Sequence, residues 1–183
     1  MKQGIKFLVL SILCLPLACC CNQTTQKTSS WKDELKVEIP LLGHRNWIVI
    51  TDMAYPLQTA PGIKTIYTNE SYMDILDFVY KEIDNALHIK AAIYQDKELS
   101  YIEEKDAAGI DALREQMKTL LGDRSIAVPH DELIARLDEV SRMFNVIILK
   151  SNLTIPYTTT FFELDCNYWE SDKEVALRKK LEQ

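Results

Sequence analysis

In "GHRNWIVITDMAYP", at positions 43–56, His44 and Asp52 bracket one apolar run, Trp47-Ile48-Val49-Ile50. A histidine titrates near neutrality and can pass a proton in either direction. A carboxylate can hold a hydroxyl group or steady a charged imidazole. A buried strand needs neither group at its ends, so this pairing is the first candidate for acid–base chemistry. His130 is the second, between Pro129 and Asp131-Glu132 at a strand-to-helix junction. His88 opens another apolar run, has no candidate partner in the sequence and reads as structural. Tyr157, Phe161, Phe162, Tyr168 and Trp169 cluster late in the chain, where aromatic rings either fill a core or line a sugar site.

Spacing constrains these groups. A six-residue strand is ~20 Å long at ~3.3 Å per residue. His44 and Asp52 therefore share a site only if Arg45-Asn46 turn back or if the site is assembled between subunits. Each group also has a plainer reading. His44 after Gly43 can end a helix, Asp52 can satisfy loop amides before Pro56, and His130 can simply open a helix.

Other chemistries have no support in the residues. There is no GxSxG motif, and nothing around Cys166 resembles a nucleophile signature. Five glycines in 183 residues form no phosphate-binding loop. Neither CxxC nor HExxH is present, so a structural zinc site has no ligands at usable spacing. The formal net charge of −6 argues against nucleic acid, which needs a basic stripe.

The elements that must position the candidates alternate along the chain. Strands are expected at 46–51, 63–68, 88–94, 125–129, 145–150 and 159–164, and helices near 69–86, 109–121, 130–143 and 173–182. Segment 31–43 reads as a short helix and turn interrupted by Pro40. The alternation predicts an α/β three-layer sandwich with a mostly parallel sheet, with active groups at the carboxyl ends of its strands.

Ahead of this domain, residues 1–21 have a basic start, an apolar stretch from Ile5 to Leu17 and small residues before cysteine. They read as a secretory signal peptide. Leu17-Ala18-Cys19-Cys20 resembles a bacterial lipobox, with Cys19 favoured for lipidation over Cys20 and Cys21. Residues 22–30 read as a tether and 31–183 as one domain, exported to a bacterial envelope and held to the membrane by lipid alone. Only Cys166 remains in that domain, so it holds no internal disulfide.

"LGHRNWIVITDMAYP" resembles the opening motif of the D-ribose pyranase and L-fucose mutarotase family: Gly-His, a polar pair, an apolar strand, Asp, and Pro four residues on. Gly43, His44, Asp52 and Pro56 keep that spacing. Colinear with it, "PHDELIARLDEVSRMFNVIILKSN" is similar to a segment in which a basic residue opens a helix before a strand, here His130. "PYTTTFFEL" is similar to a closing Tyr-x-Asn and strand, with Tyr157 on the tyrosine and Thr159 in place of the asparagine. The resemblance spans residues 40–165 and implies that family's fold and a metal-free, non-redox activity that needs no cofactor, the interconversion of ring forms or anomers of a free ribose- or fucose-like sugar. It implies His44 and Tyr157 as catalytic groups, with Asp52, His130, Tyr157 and Thr159 on the sugar. It implies ring-shaped homo-oligomers with sites between subunits. Two other classes are a non-catalytic sugar-binding accessory lipoprotein, to which Thr159 points, and a purely structural envelope oligomer.

Overall fold

The computed structural model describes residues 30–182. The leader, its cysteines and nearly all of the tether lie outside the described residues.

Helix α1 (Trp31–Glu38) starts at Ser30, whose hydroxyl accepts the Asp33 amide, and it tightens into a 3-10 turn at Ile39–Leu41. Pro40 has no amide to continue the α-helical pattern there. The expected short helix and turn are therefore both present. His88 closes this turn: its Nε2 lies 3.2 Å from the carbonyls of Ile39 and Leu42. The residue is structural, but it does have partners, and neither was visible locally because both lie more than forty residues away.

Six strands form one sheet: β1 (Trp47–Thr51), β2 (Ile63–Tyr67), β3 (Ile89–Asp96), β4 (Ser125–Val128), β5 (Val146–Lys150) and β6 (Thr160–Cys166). Their order is β2-β5-β1-β6-β3-β4. β1, β2 and β5 pair in parallel, as do β3 and β4; β6 runs antiparallel between β1 and β3. The connecting helices are α2 (Tyr72–Asn85), α3 (Ile110–Leu121) and α4 (His130–Val140). A closing helix, α5 (Ser171–Leu181), has none of its residues buried.

All five residues of β1 are buried, because helices cover both faces of the sheet. Ile48 and Ile50 pack with Leu35 of α1, Ile75 and Val79 of α2, and Ile110 and Met117 of α3. Trp47 and Val49 point the other way, into Leu133 and Leu137 of α4 together with Ile148 and Phe161. This two-sided burial is why β1 reads as a continuous apolar run rather than an alternating one. Each fully buried aliphatic side chain contributes roughly 1.5–3 kcal/mol. The mostly parallel three-layer sandwich expected from the sequence is the observed architecture.

Strand direction decides what meets at each end of the sheet. β1, β3, β4 and β5 all end at one edge, which gathers Asp52, Asp96, His130 and Lys150. β6 runs the opposite way, so the segment before it, 157–159, enters at that same edge. His44 lies at the other edge, before β1.

Candidate functional site

Helix α4 begins where β4 ends, and its first residue is His130. Pro129 stands at the N-cap and offers no side-chain acceptor. Glu98 supplies one from the turn after β3: both its carboxylate oxygens accept the His130 amide, at 3.1 and 3.0 Å. A carboxylate at a helix N-terminus also opposes the helix dipole favourably. This cap fixes the backbone of His130.

The imidazole is fixed separately. His130 Nδ1 lies 3.0 Å from Oδ1 of Asp96, the last residue of β3. The parallel register pairs Asp96 with Val128, so His130, two residues further on, lands beside it. The Asp96 side chain is fully buried, whereas 29% of the His130 side chain is exposed. Burial pushes the Asp96 carboxyl above the usual carboxylate range; the imidazole and the Thr159 amide pull it back only in part. Its second oxygen, Oδ2, has no hydrogen-bond partner.

His130 opens onto a cleft of about 400 Å³ lined by Asp52, Tyr55, Gln58, Ile134, Tyr157 and Thr159 among others. Asp52 follows β1 directly, and its Oδ1 accepts the amides of Ala54 and Tyr55, each at 2.9 Å. That contact is the loop-capping role open to an aspartate here. The same turn carries Tyr55 into the α4 face of the core, and Lys150 Nζ pins its carbonyl at 2.7 Å. The loop wall of the cleft is thus held at two points.

Tyr157 forms the opposite wall. Its φ of 55° lies in the left-handed region, where a non-glycine residue costs of order 1–3 kcal/mol unless its surroundings hold it. Its ring meets the His130 imidazole edge-on, with centroids 5.4 Å apart and planes at 89°. Thr159, two residues on, is 3% exposed and sits at the floor.

Buried polar atoms gather along the cleft. Five buried side-chain polar atoms lack a partner among the described residues. Three of them, Tyr55 Oη, Gln58 Oε1 and Asp96 Oδ2, belong to the cleft wall or to the carboxylate behind it. Tyr55 and Gln58 interact with each other, and the Thr159 amide approaches the Asp96 carboxylate, so these groups form one polar cluster along the cleft wall. Burial, with the nearby Asp138 and Asp96 carboxylates, raises the Tyr55 phenol far above its ordinary value.

Of the residues singled out in the sequence, the structure brings Asp52, His130, Tyr157 and Thr159 together in one cleft. It does not bring His44 there within one chain. His44 Nδ1 instead lies 2.6 Å from Asp165 Oδ1, at the far end of β1 and β6. Phe161 and Phe162 are core residues, and Tyr168 and Trp169 lie exposed near α5. Asp96, Glu98, Tyr55 and Gln58 were missed. For Asp96 a signal existed: it ends an apolar strand as Asp52 does, in "HIKAAIYQD".

No protein-family model and no curated protein sequence matches the chain. Solved structures do. RbsD of Bacillus subtilis, in complex with D-ribose, aligns with a TM-score of 0.51 and 15% identity over 72% of this chain and 91% of that one. A fucose mutarotase from Streptococcus pneumoniae, in complex with L-fucose, aligns at 0.48 and 16% over 78% of this chain and 97% of that one. FucU from Bifidobacterium longum aligns at 0.46 and 11% over 72% and 93%. The chain therefore shares the fold of RbsD, a protein whose structure holds a free pentose.

Proposed function

We propose that the cleft binds a free monosaccharide and interconverts its ring forms. The observation that carries this reading is the convergence of Asp52, His130, Tyr157 and Thr159 on one cleft of sugar size. The residue types suit the reaction. Ring opening of a hemiacetal removes the proton of the anomeric hydroxyl. The O–H electron pair becomes the carbonyl bond, the bond from the anomeric carbon to the ring oxygen breaks, and the ring oxygen takes up a proton. Closure reverses each step, so one base and one acid suffice, and no electrons leave the sugar. His130 serves as the base and Asp52 holds a sugar hydroxyl. The acid is the Tyr157 hydroxyl or the imidazole of His44 from a neighbouring copy, in a ring-shaped homo-oligomer whose sites lie between subunits. His44 is well exposed at the other sheet edge, which leaves it free to face such a neighbour. A positioned acid–base pair contributes about 10²–10⁴-fold, enough for a reaction that already proceeds in water.

The second reading is a sugar-binding accessory protein without turnover. Burial of Thr159 favours it, because a 3% exposed hydroxyl lacks the reach of an amide at that position. Calorimetric titration with ribose and fucose tests binding, which the first two readings share: it is expected in the wild type and reduced in Asp52→Ala. Saturation-transfer NMR of the anomeric protons then separates them, since binding without exchange above buffer selects the accessory role. Failure to bind any free monosaccharide overturns both and leaves a structural envelope protein. We place the protein in a bacterial envelope, anchored through Cys19 or Cys20. Mass spectrometry of the mature N-terminus checks this, and an unmodified, uncleaved leader would contradict it.

A further inference from the structure

We propose that Asp96 is the positioning residue for His130: it accepts the Nδ1 proton, turns Nε2 towards the cleft and stabilises the imidazolium formed when the sugar gives up its proton. This rests on the ring-interconversion reading for its activity consequences, and on geometry alone for its effect on the imidazole.

Three structural facts carry it. Nδ1 and Oδ1 are 3.0 Å apart, a hydrogen bond of ordinary length. The carboxylate is fully enclosed, so water cannot screen it or compete for the imidazole proton. The backbone of His130 is held independently by Glu98, so Asp96 is not needed to hold the start of α4. With Nδ1 engaged, Nε2 is the ring nitrogen left for a ligand in the cleft that His130 lines. A neutral imidazole donating from Nδ1 carries its lone pair on Nε2, the form a general base requires. When Nε2 takes the anomeric hydroxyl proton, the positive charge that forms lies one hydrogen bond from a buried anion. Asp96 acts through His130 and is not required to touch the sugar.

The ionisable groups around the pair come from every side. Tyr72 of α2 and Tyr55 of the loop after β1 approach Asp96, Glu98 follows it in the next turn, and His130 faces it from α4. Both phenols are shifted far upward, chiefly by burial, so the groups of this set that can carry charge are Asp96, Glu98 and His130.

The test reads the imidazole directly. In the wild-type full domain, ¹⁵N-edited NMR of the His130 ring is expected to show the Nδ1–H tautomer when neutral. Asp96→Asn is expected to shift the ring towards Nε2–H, since its amide can donate to Nδ1 where the carboxylate can only accept. In the exchange assay the same variant is expected to lose about 10²–10⁴-fold in kcat with KM changed far less. A wild-type His130 in the Nε2–H form, or a ring whose tautomer is unchanged by Asp96→Asn, overturns the proposal. If Asp96→Asn fails to fold, the wild-type tautomer still decides. If no sugar is turned over but the ring behaves as expected, the positioning role stands and the isomerase reading is the one that falls.

Discussion

His44 Nδ1 meets Asp165 Oδ1 at 2.6 Å at one edge of the sheet, while His130 Nδ1 meets Asp96 Oδ1 at 3.0 Å at the other. The chain thus carries two histidine–carboxylate pairs, separated by the length of its central strands. Their surroundings differ. Burial pushes Asp165 upward, but the Cys166 amide, His44 and Lys90 together outweigh it, so its carboxyl lies below the usual range. Asp96 is enclosed and lies above it. In the ring proposed above, a head-to-tail contact between copies would set the exposed pair of one subunit against the cleft of the next; such contacts close into a ring when the rotation between copies closes.

That arrangement predicts complementation. His44→Ala and His130→Ala are each expected to abolish most anomeric exchange. Mixed after dissociation and reassembly, they should recover activity to about a quarter of wild type, because one interface in four then combines two intact histidines. Exchange that stays at the level of either single variant would place both histidines in one chain's site, or His44 outside it.

Gly62 sets the entrance to β2 by close approach of backbone. A Cβ there would lie 2.4 Å from the Ser141 carbonyl oxygen and 2.5 Å from that of Phe144. Neither atom can swing away as a side chain could. Gly62→Ala is expected to cost about 1–3 kcal/mol or more in denaturant unfolding, from overpacking alone. Gly43, whose Cβ would meet nothing within 4 Å, is the control.

Helix α3 is capped from a distance, as α4 is. Gly109 at its N-cap has no side chain, and Glu104 instead accepts the amides of Gly109 at 2.6 Å and Asp111 at 3.1 Å. These bonds hold the Glu104 carboxyl below its ordinary value of 4.5. A depressed folded-state pKa adds stability above the unfolded value, and that stability is lost as pH falls through the folded one. Thermal melts of Glu104→Gln should therefore lie below wild type at neutral pH, with the gap closing below pH 4.5. A gap independent of pH would assign the loss to packing instead.

The central strand predicts a large core penalty. Ile50 is fully buried against the α1–α3 face. Ile50→Ala is expected to lose about 2–5 kcal/mol, read from the denaturant midpoint, through lost transfer energy plus a cavity. Val175→Ala on α5, where the residue is 53% exposed, should fall within about 0.5 kcal/mol of wild type.

What could be read from the sequence followed from local periodicity. The run Trp47–Ile50 announces a strand buried on both faces, and Ile75, Leu76, Val79 and Ile83 announce one face of α2. Asp52 and His130 were legible as polar residues at element ends. The antiparallel course of β6 was not, because pairing between β6 and its neighbours joins residues 65 to 116 positions apart. Asp96 was visible as an acid near a strand end, but its pairing with His130 was hidden for the same reason. The expected strand stopped at Tyr94, and only the β3–β4 register sets Asp96 beside a histidine 34 residues away. Thr159 was legible as a site position, but its burial depends on how the loop before β6 packs across the sheet edge.

The most direct measurement is the anomeric exchange rate of ribose and fucose, by saturation-transfer NMR at neutral pH, with wild type and His130→Ala at equal concentration. Wild type is expected to raise the exchange rate of at least one of these sugars above buffer, and His130→Ala to remove that gain by about 10²–10⁴-fold. Equal rates for wild type, His130→Ala and buffer would contradict ring interconversion in this cleft.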